Sequence, residues 1–192
     1  METLVLGSNS PRRKDLLSSC DIKFEVISHK FDETSIKYKN PVVYAENLSL
    51  KKAESLKEMT ETSGKYILGV DTIVVFNNKI LGKPGNIQEA ESYVRMLSGR
   101  SNRVISGISL INSSKNVSIT SHSISTVYFH KFNEDFIKLY LDNNHWEGYA
   151  GGYAIQGIFS LVTKKITGSY TNIVGLPMEI LYGMLTKLNI YP

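Results

Sequence analysis

The stretch Tyr66-Ile67-Leu68-Gly69-Val70-Asp71-Thr72-Ile73-Val74-Val75-Phe76 is apolar on both of its alternating faces and is interrupted at its centre by Asp71 and Thr72. A strand that is greasy on both faces needs cover on both, which places it in the middle of a sheet flanked by helices. Asn77-Asn78 suits the left-handed backbone of a tight hairpin, returning the chain through Lys79 to Leu81.

Working outward, Thr3 to Gly7 reads as a short apolar strand, and Ser10-Pro11 as a helix cap followed by proline at the first helical position, opening a helix to about Cys20. Phe24 to Ser28 reads as a second strand. Asn40-Pro41 repeats the cap signal before a helix with Val42, Ala45, Leu48, Ala53, Leu56 and Met59 on its apolar side, from which Lys51 and Lys52 project. Downstream, Asn86 caps a helix that ends at Gly99. Arg103 to Ile111 and Val117 to Phe129 then pair as a long hairpin. The apolar phase changes between Ile119 and Ile124, which predicts a bulge near Ser121 to Ser123. Asn133 caps a helix to about Leu141, Gly148 to Gly175 is glycine-rich with short β-prone runs, and Pro177 opens a final helix. Helices interleaved with strands, plus one long antiparallel hairpin, predict an α/β fold: one domain over residues 1–192, with a mixed β-sheet flanked by helices and two lobes around a central cleft.

Bulk properties narrow the function. The chain has 192 residues, 42% of them hydrophobic, enough for an ordinary core. No apolar run approaches the roughly 20 residues of a membrane span, and no secretory leader is evident, so the expectation is a cytoplasmic protein without membrane contact. Cys20 is the only cysteine, which excludes an internal disulfide or a thiolate cage. A net charge of +4, spread over separate basic clusters, suits a small anionic ligand better than a nucleic-acid groove, and the 11 tyrosines are too scattered to form a stacking platform. No stable nucleic-acid partner is expected.

Four segments could carry chemistry. In Ser8-Asn9-Ser10-Pro11-Arg12-Arg13, hydroxyls and backbone N–H groups gather at a helix start beside two guanidinium groups, an arrangement that attracts phosphate. A capped helix with solvated arginines is the commoner reading of those residues alone. Asp71 inside its apolar strand is costly unless paired or metal-bound; a buried acid tied to a loop is the structural alternative. Glu33, in a polar loop, could join Asp71 as an oxygen ligand of a divalent cation, although acidic loop residues are more often solvated. Lys83 sits in the rigid turn Gly82-Lys83-Pro84-Gly85, yet the segment lacks the glycine and hydroxyl pattern of a P-loop. His29, His122, His130 and His145 show no paired spacing, so no histidine is assigned a role.

In order along the chain, SNSPRR (Ser8 to Arg13), Asp32-Glu33, Lys52-Ala53, GVDTIVV (Gly69 to Val75), GKP (Gly82 to Pro84), LSGR (Leu97 to Arg100), AGGYAIQG (Ala150 to Gly157) and GSYTNIVGLP (Gly168 to Pro177) resemble the Maf family of nucleoside triphosphate pyrophosphatases. The likeness runs from Leu6 to Pro177. It implies an elongated mixed α/β fold similar to that of the inosine triphosphate pyrophosphatases, with hydrolysis between the α and β phosphates of a nucleoside triphosphate. By resemblance, Asp71 accepts a proton from the attacking water, Glu33 and Asp71 hold Mg²⁺ or Mn²⁺, and Ser8, Arg13, Lys52 and Lys83 bind the phosphates. The segment around Tyr153 to Gly157 is similar to that of the branch acting on dTTP and UTP, in which Arg12, Thr72 and Gln156 fall on base-selecting positions. A homodimer is the expected assembly.

This chain departs from the family in three places: Tyr149 stands where lysine is common, and Asn102 and Ser106 lie near positions usually held by histidine and threonine. Either the missing lysine weakens phosphate or product binding, or Lys164 or a partner subunit replaces it. The competing functional class is a non-catalytic nucleotide-binding regulator of cell division and septum formation, which Asp71→Asn would leave active.

Overall fold

The computed structural model describes residues 2–36 and 40–190. Seven strands form one mixed sheet: β1 (Leu4–Leu6), β2 (Phe24–Val26), β3 (Tyr66–Phe76), β4 (Lys79–Leu81), β5 (Ser101–Asn112), β6 (Val117–Phe129) and β7 (Thr163–Thr167). Their order is β2-β1-β3-β5-β6-β7, with β4 on the β1 side of β3. β1 is parallel to both β2 and β3, and every other pairing is antiparallel. Six helices cover the sheet: α1 (Pro11–Ser18), α2 (Pro41–Glu54), α3 (Ile87–Leu97), α4 (Glu134–Asp142), α5 (Tyr170–Val174) and α6 (Met178–Lys187).

β3 is apolar on both faces because both are covered: Ile67, Ile73 and Val75 pack beneath α2, and the residues alternating with them pack into two further cores. Tyr66, Leu68 and Val70 pack with Leu4, Leu6, Leu110 and α6, whereas Val74 and Phe76 pack with α3, α4 and the aromatic cluster around Phe129 and Phe159. Thr72 lies between these two clusters, and Asp71 lies on the face that α2 covers. On that face α2 lies unusually close, because the two strands beneath it place glycine under the helix. A Cβ on Gly69 would sit 2.1 Å from Ser49 O, and one on Gly107 would sit 2.0 Å from Ala45 O. The two positions are offset on neighbouring strands, Gly107 pairing directly with Asp71.

The hairpin turn is as expected, with Asn77 and Asn78 at φ 46° and 63°. Asn40, Asn86 and Asn133 each cap their helices through the side-chain oxygen. Ser10 does not: its hydroxyl makes no capping bond, and its N–H instead donates to Ser8 Oγ at 3.3 Å. Several elements are also shorter than periodicity suggests. β2 stops at Val26, α1 at Ser18 and α2 at Glu54, and the buried Leu56 reaches the core from the turn that follows α2.

The predicted bulge near Ser121 to Ser123 is absent, and β5 and β6 pair in unbroken register from Ser101↔Tyr128 to Asn112↔Val117. The misleading phase has a physical origin: Ile124 faces solvent at 41% exposure, while buried Ser125 takes the inward place and accepts 2.8 Å from Asn172 Nδ2. The register shift is instead between Tyr128 and Phe129, where β6 meets β7. None of the helices among the described residues is long and apolar enough to cross a membrane.

Candidate active site

The site follows from the way β3 is paired. β1 accompanies it from Tyr66 to Leu68 and β4 from Val74 to Phe76, so on that side the edge from Gly69 to Ile73 has no partner strand among the described residues. Into this gap run the loop leaving the end of β1, which carries Ser8, and the turn leaving β4, which carries Lys83. Ligands of α/β sheets lodge where strand ends diverge in this way. A cavity of about 910 Å³ opens here, within the roughly 300–1,000 Å³ usual for small-molecule sites.

Asp71 is 6% exposed and faces α2, whose close approach over Gly69 and Gly107 sets Lys52 against it. Lys52 Nζ donates to Asp71 Oδ1 at 2.5 Å and lies 2.9 Å from Glu33 Oε1. The ammonium is itself buried, 5% exposed, so it stays inside only because two carboxylates flank it. Glu33 belongs to a single 3₁₀ turn (Glu33–Ser35) and remains half exposed.

On the opposite face of β3, Arg13 binds the site together. Its Nε donates to Gly175 O at 2.8 Å, its Nη1 to Ser8 Oγ at 2.8 Å and its Nη2 to Thr72 Oγ1 at 3.2 Å. Thr72 also shares a 2.8 Å hydrogen bond with the buried Ser106 hydroxyl. Three of the five guanidinium N–H bonds of Arg13 therefore fix protein geometry, leaving two for an oxyanion. Arg12 is held differently: Nε donates 3.2 Å to Val174 O, and the guanidinium lies over the Tyr149 ring. Lys83 and Gln156 line the same cavity from exposed positions at its rim. Ser8, Arg12, Arg13, Glu33, Lys52, Asp71, Thr72, Lys83 and Gln156 thus meet around one cavity.

Tyr149 and His29 also line the cavity, without a role expected from sequence. Tyr149 occupies the rim, and Lys164 does not substitute for a lysine there, because it lies on edge strand β7 and outside the cavity lining. His29 enters through the loop after β2, its Nε2 3.9 Å from Glu33 Oε1 and its buried Nδ1 without a hydrogen-bond partner. Nothing in its spacing announces this, since only the fold of the loop brings it beside α2.

Burial, followed by the charge of Lys52, pushes the His29 imidazole below the ordinary 6.5. Burial acts to raise the Glu33 carboxyl, but the hydrogen bond and charge of Lys52 outweigh it and hold the group below the ordinary 4.5. In both cases the unfolded chain binds more protons, so stability is complete at neutral pH and declines on acidification, with the His29 contribution lost first. Melting temperature measured against pH should show this as two steps. His29→Gln is expected to flatten the step that begins below about pH 6.5, and Glu33→Gln the step below about 4.5. Profiles of wild-type shape in both variants would contradict these assignments.

Among the described residues, no group of three or more His, Cys, Asp or Glu side chains could hold a metal ion. The two carboxylates that converge on Lys52 do suit a Mg²⁺-like cation, which takes one or two carboxylates and completes its shell with water and substrate phosphate. A self-contained protein cage is not present in this region.

A family model described as Maf-like protein matches residues 3–188. The dTTP/UTP pyrophosphatase of Ruminiclostridium cellulolyticum is 39% identical over 190 residues, covering 98% of this chain and 97% of its own. The dTTP/UTP pyrophosphatase of Treponema denticola is 41% identical over 197 residues, covering 97% of each. Among solved structures, the Staphylococcus aureus Ham1 protein is similar at a TM-score of 0.44 and 15% identity, over 67% of this chain and 72% of that one. Matched over almost its whole length by both the family model and its relatives, the chain belongs to the Maf family.

Proposed function

We propose that this protein hydrolyses dTTP and UTP between the α and β phosphates, releasing the nucleoside monophosphate and pyrophosphate. The observation that carries the reading is the array of buried Asp71 and Lys52 with half-exposed Glu33, in a cavity whose rim supplies Arg12, Lys83 and Gln156. Relatives bearing that activity in their names support the choice of substrate.

In this reading Asp71 accepts the proton of the water that attacks the α phosphorus. Without nucleotide, Lys52 bridges Asp71 and Glu33; triphosphate oxygens offer the ammonium a competing partner and release the carboxylate for proton transfer. The two N–H bonds of Arg13 left by its protein acceptors point the α1 end of the site toward phosphate, and Lys83 adds charge from the opposite rim, where leaving pyrophosphate gathers negative charge. Ser8, already bonded to Arg13, fixes that guanidinium and offers a hydroxyl to the same oxygens. Glu33 and Asp71 are the residues that would hold Mg²⁺ or Mn²⁺, which when bound neutralises phosphoryl oxygens. Thr72 and Gln156, with Arg12, form the base-selecting side. A homodimer, a cytoplasmic location and a single domain over residues 1–192 complete the proposal.

The test is product analysis. With Mg²⁺, UTP and dTTP should give monophosphate and pyrophosphate, with ¹⁸O from labelled water on the monophosphate, and excess chelator should abolish turnover. Release of orthophosphate and a nucleoside diphosphate would overturn the reading.

A further inference from the structure

The two arginines of the first helix differ in what they have left to give. Arg13 has a protein acceptor on each of its three nitrogens. Arg12 has one, Val174 O on Nε, and among the described residues neither Nη group has a protein acceptor. The Arg12 guanidinium instead lies over the Tyr149 ring, with Cζ 4.4 Å from the centroid. Both residues line the cavity.

Tyr149 is mounted rigidly enough for that task. Its carbonyl accepts from Gly152 N at 2.9 Å, and Gly151 N donates to Gly82 O at 2.9 Å, tying this segment to the end of β4. Gly151 has φ 71°, and a Cβ there would come within 2.8 Å of Val74 Cγ1, so the segment also rests directly on β3. A ring fixed to the sheet on one side and a guanidinium fixed to Val174 on the other leave the four Nη hydrogens aimed as a planar set.

We propose that Tyr149 is a positioning residue for nucleobase selection: its ring holds the Arg12 guanidinium in place, so that an Nη donor meets the 4-carbonyl oxygen of a 2,4-dioxopyrimidine. This rests on the pyrimidine reading above. At position 4 a 4-aminopyrimidine turns a donor toward those donors and is rejected, whereas uracil or thymine turns its O4 acceptor toward them. Without the ring beneath it, the guanidinium turns toward water and discriminates less.

The test compares kcat and KM for UTP and CTP in the wild type, Tyr149→Leu, Tyr149→Phe, Arg12→Met and the Tyr149→Leu/Arg12→Met double variant. Tyr149→Leu should raise KM for UTP roughly tenfold, the loss of one desolvated cation–π contact, while kcat stays within about twofold. The UTP-to-CTP ratio of kcat/KM should shrink with it, and Tyr149→Phe should restore that ratio. The double variant should lose no more selectivity than Arg12→Met alone, because the ring acts through Arg12. An unchanged ratio in Tyr149→Leu, a failure of phenylalanine to restore it, or additive losses in the double variant would each overturn the proposal. An equal fall in kcat for both substrates would do so too, by exposing a merely structural role. A wild type that turns over CTP as well as UTP would instead remove the dTTP/UTP reading beneath it.

Discussion

Asp71→Asn is expected to give a folded protein whose kcat with UTP falls by roughly 10³-fold while KM changes far less, because an amide cannot take the proton that the proposed mechanism assigns to this carboxylate. The substitution is nearly isosteric, and the amide oxygen can still accept from Lys52 Nζ, which lies 2.5 Å from Asp71 Oδ1. What is lost structurally is one of two negative partners of a buried ammonium; Glu33 remains 2.9 Å from it. Replacing a charged acceptor by a neutral one at such a site costs about 2 kcal/mol, so thermal unfolding should register a drop without collapse. The two readouts separate the roles. A large fall in kcat with modest destabilisation marks a proton acceptor, whereas a large fall in stability with residual turnover per folded molecule marks a structural acid. Unchanged turnover would remove Asp71 from the chemistry.

Much of this site was legible from residue order, and the parts that were not have specific reasons. Asp71 stood out because a carboxylate in a two-faced apolar strand demands a partner. Its partner is Lys52, itself flagged only through family resemblance, since a lysine at that point of an amphipathic helix looks like a solvated one. What buries it is the pair of glycines under α2, and the helix–sheet distance they permit cannot be seen from either segment alone. Arg13 looked like a simple phosphate ligand, but three of its N–H bonds hold the protein together. His29 was invisible because its neighbours are remote in sequence or in loops. The false bulge near Ser121 to Ser123 arose from exposed Ile124 and buried Ser125, a reversal that the tertiary hydrogen bond from Asn172 stabilises. Strand and helix identities were therefore readable, whereas polar burial and helix height over the sheet were set by contacts between distant segments.

That dependence on helix height makes Gly107→Ala the most informative change away from the reacting groups. A methyl at Gly107 would lie 2.0 Å from Ala45 O, 2.3 Å from Ala45 C and 2.6 Å from Glu46 N, all of them main-chain atoms of α2 that no rotamer change can move aside. The helix must lift by on the order of 1 Å, and overpacking against backbone puts the cost at about 4 kcal/mol. For a chain of this size the melting temperature should fall by roughly 10 °C. The same lift carries Lys52 away from Asp71, and a misplacement on the order of 1 Å in a catalytic array lowers turnover by about 10²-fold, measured well below the new melting point. Gly183→Ala supplies the contrast. It lies in α6 with nothing within 4 Å of the added Cβ, so alanine should leave turnover intact and stabilise the helix by about 0.5–1 kcal/mol. If Gly107→Ala matched Gly183→Ala in both melting temperature and turnover, α2 would not be held against the sheet as described, and the placement of Lys52 beside Asp71 would lose its structural cause.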